Sequence, residues 1–406
     1  MTQTTKSPYQ VCVLGGAGHV GLPLAITFAN ANLKTLVYDI NQKSLETIGQ
    51  GIMPFLEEGA EPLLKSVLAA KTLGLSSKIS DLAGIPFIVL TIGTPVDEFL
   101  NPHTKLITQC MDELLPHLVD GQTLILRSTV SPGITDWVDR YVRSKNKKIH
   151  IAFCPERVVQ GLAIKEIQTL PQIVSGMTPA AEDSAAELFL KIAPEVVRMK
   201  PMEAEFAKLF SNAYRYLQFA TTNQFYMMAS LAGLDYSAIL KGMTQNYPRN
   251  QGIPKPGFAA GPCLFKDTMQ LSAFYSNQFS LGSHAMNVNE GLPLFIIDQL
   301  KQKCDLKSKT IGLLGMAFKA ESDDIRSSLS YKLKKALKTQ AKKVLTTDHV
   351  VENDPELLPL EQVVDQSDIL ILCTPHSAYK TLNLKNKPVI DVWNFYGKGS
   401  LIPNVS

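Results

Sequence analysis

The run Gly257-Phe258-Ala259-Ala260-Gly261-Pro262-Cys263-Leu264-Phe265-Lys266-Asp267 concentrates more potential chemistry than any other part of the chain. A small-residue loop delivers a cysteine at what reads as a helix start. Lys266 and Asp267 follow at i+3 and i+4, on the same helix face as the thiol. A helix N-terminus and a nearby cation both favour the thiolate, which is the nucleophilic form, and a carboxylate one turn on could relay protons. The same residues also fit a small cysteine buried for packing, the usual fate of a free thiol.

Two further groups have the right types for catalysis. Lys208 and Asn212 stand one turn apart in a long helical stretch, away from its apolar stripe. Asn is unfavourable in mid-helix, which hints at a tertiary role, although a solvated face is the ordinary reading of one lysine. Cys154-Pro155-Glu156-Arg157 follows an apolar run and places a carboxylate at a sheet edge where a nicotinamide could lie. Near the N-terminus, an apolar run leads into Gly16-Ala17-Gly18-His19-Val20-Gly21, an apolar helical stretch follows, and Asp39 closes the next strand. This is the full setting of a dinucleotide fingerprint. Gly16 makes the turn, Gly18 admits the pyrophosphate, Gly21 lets the helix pack, and the helix N-terminus holds the phosphates. Asp39 can accept from the adenosine ribose and repels a 2′-phosphate, so NAD is expected over NADP. Thr94 and Thr129, in loops after later strands, are further candidate cofactor contacts.

These groups need a scaffold. Tyr9–Leu14, Thr35–Tyr38, Phe87–Thr91, Thr123–Leu126 and Ile149–Phe153 read as buried strands between helical stretches, hence a parallel sheet covered on both faces. Met202 to Ala232 contains no Gly or Pro and is flanked by Pro201 and Gly233, which predicts one long helix. Its stripe of Phe206, Leu209, Phe210, Ala213, Leu217, Ala220, Met227, Met228 and Leu231 fits burial against a second copy or against the chain's own domains. Strands at Thr310–Leu314, Lys343–Thr347, Ile369–Cys373 and Val389–Val392 echo the first region. The expected fold is α/β: two doubly wound Rossmann-like domains joined by a long central helix. The divisions are 1–200 for NAD, 201–300 for a helical dimerisation and catalytic domain, and 301–406 for a second Rossmann-like domain.

Composition excludes other classes. The 406 residues are 45% hydrophobic and 19% charged, an ordinary globular balance. A net charge of +3 is too weak for an electrostatic nucleic-acid binder. No run of eighteen apolar residues predicts a membrane helix, and the N-terminus lacks a signal-peptide core. Six scattered cysteines without a CxxC pair suit a reducing, cytoplasmic setting, and neither they nor the seven histidines show metal-ligand spacing.

Taken in order, GxGxxG with Asp39, Gly93-Thr94-Pro95, Ser128-Thr129-Val130, Pro155-Glu156, Lys208 with Asn212, Cys263 with Lys266-Asp267, and Phe318-Lys319 before Asp323-Asp324-Ile325-Arg326 resemble the UDP-glucose/GDP-mannose dehydrogenase family over nearly the whole length. The resemblance implies a homodimer that binds UDP-sugar and NAD. It implies four-electron oxidation of carbon 6 to a carboxylate through a thioester on Cys263. In that scheme Lys208 and Asn212 stabilise an oxyanion, Asp267 handles protons, and Glu156 and Thr129 surround a water. Gln160 and Arg326 fall at cofactor positions. Glu156, Arg157, Lys208, Asn212, Gly257, Phe258 and Lys319 fall at substrate positions, and Arg249 resembles an arginine reaching a neighbouring subunit's sugar. Pro155-Glu156-Arg157 resembles the branch acting on UDP-N-acetylhexosamines, whereas Cys263-Leu264-Phe265-Lys266-Asp267 resembles the UDP-glucose branch; the former is slightly favoured. A two-electron hydroxyacid dehydrogenase would need neither the cysteine nor a third α/β region, and a non-catalytic sensor gains nothing from the intact set.

Overall fold

Short runs of Val, Ile and Leu are too brief to form helices and too apolar to stay in water, so they pair as strands between covering helices. In the computed structural model, which describes residues 7–93, 104–259 and 261–405, eight strands form one sheet. They are β1 (Val11–Leu14), β2 (Thr35–Tyr38), β3 (Leu73–Ser76), β4 (Phe87–Leu90), β5 (Thr123–Leu126), β6 (His150–Phe153), β7 (Gln172–Gly176) and β8 (Val196–Arg198). Their order is β3-β2-β1-β4-β5-β6-β7-β8, parallel throughout except at β6–β7. A second parallel sheet holds β9 (Thr310–Leu314), β10 (Lys343–Thr347), β11 (Ile369–Leu372) and β12 (Val389–Ile390) in the order β10-β9-β11-β12. The expected doubly wound architecture is present in both halves. The sequence reading misses β3, β7 and β8: glycine interrupts or ends the first two and β8 is a three-residue edge strand, so none shows a sustained apolar run.

Backbone packing divides the chain into two compact units, Met1–Ser211 and Asn212–Ser406. The long helix, Pro201–Leu231, begins in the first and ends in the second. Proline opens it, where a missing N–H costs nothing. Gly233, at φ 71°, closes it, with the Leu234 N–H reaching back to the Ala229 carbonyl. Within the first unit, the buried Glu205 carboxylate fixes the helix's opening turns by accepting the Gly133 and Thr135 N–H groups at 2.6 and 2.8 Å.

The apolar stripe of this helix divides. Leu209, Ala213 and Ala220 are buried in the chain's own packing, whereas Phe210, Met228 and Leu231 are exposed. Lys208 and Asn212, for which a solvated face was one reading, are both buried. Among the described residues no helix is long and apolar enough to cross a membrane.

Close packing at the first strand's end explains two of the fingerprint glycines. A Cβ on Gly16 would fall 2.5 Å from the Val13 carbonyl oxygen, and one on Gly21 would fall 2.6 Å from Gly16 Cα. Gly21→Ala must therefore push a helix off the sheet, with an expected loss of about 1–3 kcal/mol in unfolding stability. Urea denaturation checks this; an unchanged midpoint would show that the helix gives way freely.

Candidate functional site

Each unit presents its own group of functional side chains. In the first, strand ends β1, β2, β4, β5 and β6 deliver their loops to one edge of the sheet, the place where open α/β sheets bind ligands. Gly18 is exposed, and a Cβ there would meet only the Gly15 carbonyl oxygen at 3.6 Å. Internal packing does not require glycine at that position, unlike Gly16 and Gly21, which is what a phosphate-contacting position looks like. Asp39 is half-buried; its Oδ2 accepts from the Ala17 N–H and its Oδ1 from the Asn41 N–H, both at 3.0 Å. Each carboxylate oxygen has a second lone pair, so the acid is oriented by the glycine loop and can still accept from a ribose. Val20 takes helical φ/ψ ahead of the helix Gly21–Asn30. Glycine loop, helix start and acid together fit NAD. Thr94 lies outside the described residues.

The neighbouring loop is built around Glu156. This residue is 8% exposed, and its carboxylate accepts from Arg127 Nη2 at 2.5 Å and from the Val158 N–H at 2.6 Å. Burial alone would push this carboxyl up; the Arg127 guanidinium, the Val158 N–H and the Lys208 ammonium outweigh it and hold the group below its ordinary value. Thr129, half-buried, follows Ser128, whose hydroxyl donates to the Ile92 carbonyl at 2.5 Å. Arg157 donates to the Pro171 carbonyl. Half-buried Gln160 precedes Gly161, and the buried Glu57 carboxylate anchors that loop through the Gly161 and Ala163 N–H groups at 2.9 and 2.6 Å. Arg127 and Glu57 escape the sequence reading. An arginine ending an apolar strand was the available signal for the first.

In the second unit, Cys263 is exposed at the second residue of the helix Pro262–Phe274, the helix-start position expected from its sequence. The packed-core reading of this thiol is thereby excluded. Asp267, one turn on and 1% exposed, accepts from Asn212 Nδ2 at 2.6 Å, and Lys266 Nζ lies 3.5 Å from its other oxygen. The preceding loop is held at three points. Asn223 bonds both the N–H and the carbonyl of Gly257, at 2.8 and 3.1 Å, and is itself linked to Asn289. A Cβ on Gly257 would strike the Trp393 ring and one on Gly261 would strike Phe318. Phe258 is buried and Lys319 half-buried. The exposed Arg326 is gripped by Asp324 through Nε and Nη2 at 2.6–3.0 Å, and its guanidinium lies within electrostatic reach of Cys263. Arg249 is exposed and packs beside Tyr247.

Although no metal-ligand spacing is visible in the sequence, ligand atoms of Glu321, His349 and His376 lie within 4.8 Å of one another. Both His376 ring nitrogens are already engaged, Nδ1 by the Glu321 N–H and Nε2 by Asp348.

A glycine loop with its acid in one parallel-sheet unit, and an exposed helix-start cysteine beside a buried Asn–Asp pair in another, define an NAD-dependent oxidoreductase acting on a CH–OH group. The chain belongs to the UDP-glucose/GDP-mannose dehydrogenase family: the profiles of that family's NAD binding domain, central domain and UDP binding domain match residues 9–193, 202–291 and 312–398. It is similar to UDP-N-acetyl-D-mannosamine dehydrogenase of Pyrococcus horikoshii, at 28% identity over 94% of each chain. It is also similar to the NDP-N-acetyl-D-galactosaminuronic acid dehydrogenase of Ralstonia nicotianae, at 27% identity over 93% of this chain and 94% of that one. The solved structure of UDP-D-ManNAc dehydrogenase from Pyrococcus horikoshii superposes with a TM-score of 0.87 at 27% identity, covering 95% of both chains.

The Asn212–Asp267 bond is testable by itself. Asn212→Ala leaves a buried carboxylate oxygen without its donor, which costs about 1–3 kcal/mol. Thermal unfolding should show the loss, and Asp267→Asn in the same background should recover part of it; no recovery would mean that the charge is not what Asn212 serves.

Proposed function

We propose that this chain oxidises carbon 6 of a UDP-N-acetylhexosamine to the uronate, reducing two NAD per sugar through a thioester on Cys263. The observation that carries the reading is Cys263, exposed at a helix start whose next turn holds Asp267 against Asn212. The sugar class rests on Pro155-Glu156-Arg157 and on similarity to enzymes named for N-acetylhexosamine substrates. UDP-glucose is the alternative favoured by the run after Cys263.

NAD, held by the Gly16–Gly21 loop and Asp39 with contributions from Val20, Thr94, Thr129, Gln160 and Arg326, supplies a hydride acceptor when bound. The residues of the chain do the rest. The carbon 6 alcohol first gives up a hydride to the first NAD and its hydroxyl proton to a base, leaving an aldehyde. The Cys263 sulfur adds to the aldehyde carbon, forming a C–S bond and an oxyanion. Lys208 and Asn212 supply the positive charge and N–H that stabilise that oxyanion. Loss of hydride from the resulting thiohemiacetal leaves a thioester. Water then adds at the thioester carbon, the C–S bond breaks, and the thiol and the free acid are released. Glu156 and Thr129 orient that water, with Glu156 accepting its proton as it adds, and Asp267 shuttles the remaining protons. Arg157, Gly257, Phe258 and Lys319 contact the sugar nucleotide. Within this reading the chain keeps a three-domain division at 1–200, 201–300 and 301–406, and works in the cytoplasm, where its six free thiols stay reduced.

The test is a panel of UDP-sugars with NAD, followed by NADH absorbance and product mass. UDP-N-acetylhexosamines should give two NADH and a uronate. Cys263→Ser should bind substrate and NAD almost normally yet turn over orders of magnitude more slowly, because a hydroxyl is a far poorer nucleophile near pH 7. One NADH per sugar, or near wild-type rates in the mutant, would overturn the four-electron route.

A homodimer is part of the proposal. Tyr214, Phe225 and Met228 fall on one side of the long helix and are 40–63% exposed, an apolar strip suited to a second copy, with Arg249 reaching the partner's sugar. Met228→Glu should shift light-scattering mass from a dimer of 44.6 kDa chains toward the monomer. A wild-type protein that is monomeric and fully active would refute it.

A further inference from the structure

Arg127 is an unusual residue to bury. It follows β5 directly, is 1% exposed, and sits among apolar strand residues of the parallel sheet. Its guanidinium is tied through both terminal nitrogens. Nη2 donates to Glu156 Oε2 at 2.5 Å. Nη1 donates to the Cys154 carbonyl at 3.1 Å and to Gln172 Oε1 at 2.8 Å, and the guanidinium carbon lies 5.1 Å from the centre of the Phe189 ring. Gln172 is held in turn, donating to the Pro155 and Ile173 carbonyls at 3.2 and 2.7 Å. Arg127 therefore grips the Cys154-Pro155-Glu156 turn through backbone and side chain at once. A stability role alone explains this poorly, because apolar residues of similar size commonly replace a buried ion pair at no cost.

We propose that Arg127 is the positioning residue for Glu156: its fork ties the carboxylate to the Cys154 carbonyl and Gln172 and so holds it in one orientation, in which it can receive a proton from the water that releases the product. This rests on the proposed role of Glu156. Glu156 faces three cations, Arg127 from β5, Lys208 from the long helix and Arg157 from its own loop. Arg127 bonds the carboxylate through its guanidinium, and Arg157 through its backbone N–H. With Arg127 present the carboxyl lies below its ordinary value, so Glu156 is ionised and able to accept a proton over the whole neutral range. Without it, burial dominates and the carboxyl rises, and Glu156 is protonated and inactive up to a higher pH.

The experiment is the pH dependence of kcat for wild type, Glu156→Gln, Arg127→Met and Arg127→Lys, each with NAD and the best UDP-sugar. Glu156→Gln should lose at least ~100-fold in kcat; if it does not, the role of Glu156 is wrong, whatever Arg127 does. Given that loss, Arg127→Met should move the acid limb of kcat upward by about 1–3 pH units and level off at alkaline pH ~10-fold or more below wild type. A limb that stays in place, with kcat lowered equally at every pH or not at all, overturns the positioning role. Arg127→Lys keeps a buried cation but gives up the fork, so it decides the matter even where Arg127→Met does not fold. It should keep the wild-type limb, lower the plateau of kcat by ~10-fold or more, and leave both KM values within about twofold. A wild-type plateau in Arg127→Lys overturns the proposal.

Discussion

An ionised carboxylate taken out of water must find donors within reach, and that requirement organises every functional region of this chain. Glu156 is met by a guanidinium and an N–H, Asp267 by an asparagine amide and a lysine, and Glu57 and Glu205 by backbone N–H groups at helix starts. In each case at least one donor comes from a different element. Satisfying the charge therefore also fixes one element against another. The loops that carry the proposed chemistry are held by these pairings, which is why Glu156 and Asp267 keep defined geometry while the thiol beside Asp267 stays open to solvent.

The two parallel sheets show how one arrangement can be spent differently. In both, an acid at the end of the second strand of the unit faces the loop after the first. Asp39 accepts from the Ala17 N–H, and Asp348 accepts from the Met316 and Ala317 N–H groups at 2.6 and 3.0 Å. Asp39 stays half-exposed. The Asp348 side chain has no exposed surface and also takes a bond from His376 Nε2 at 3.2 Å. Burial alone would raise Asp348, but His376 and the N–H groups hold it far below the ordinary carboxylate range. The first acid retains capacity for a ribose; the second is consumed by its own fold. The structural echo between the halves thus extends to the acid but stops short of a shared ligand.

Much of this was legible in residue order. The GxGxxG run with Asp39, the uninterrupted helical stretch between Pro201 and Gly233, and the placement of Cys263 at a helix start all show local signals, and the structure agrees on each. Strand ends differ by one or two residues because flanking residues such as Tyr9 and Thr91 are apolar or β-branched without joining the ladder. The burial of Lys208 and the split of the apolar stripe were not legible, since periodicity reports which residues share a side of a helix and not what packs there.

What the sequence determined by itself is therefore whatever depends on neighbours a few positions away: strand and helix periods, the glycine turn, and the thiol with its following Lys and Asp. Only the tertiary structure decided which charges meet. Arg127 finds Glu156 and Gln172, Asn212 finds Asp267, and Asn223 finds Gly257 and Asn289 across separations of 29 to 66 residues. Such pairs leave no periodic trace in the chain. They form because the fold brings a buried donor and a buried acceptor within 3 Å or so of each other, where leaving either unpaired would cost more than the bond itself returns.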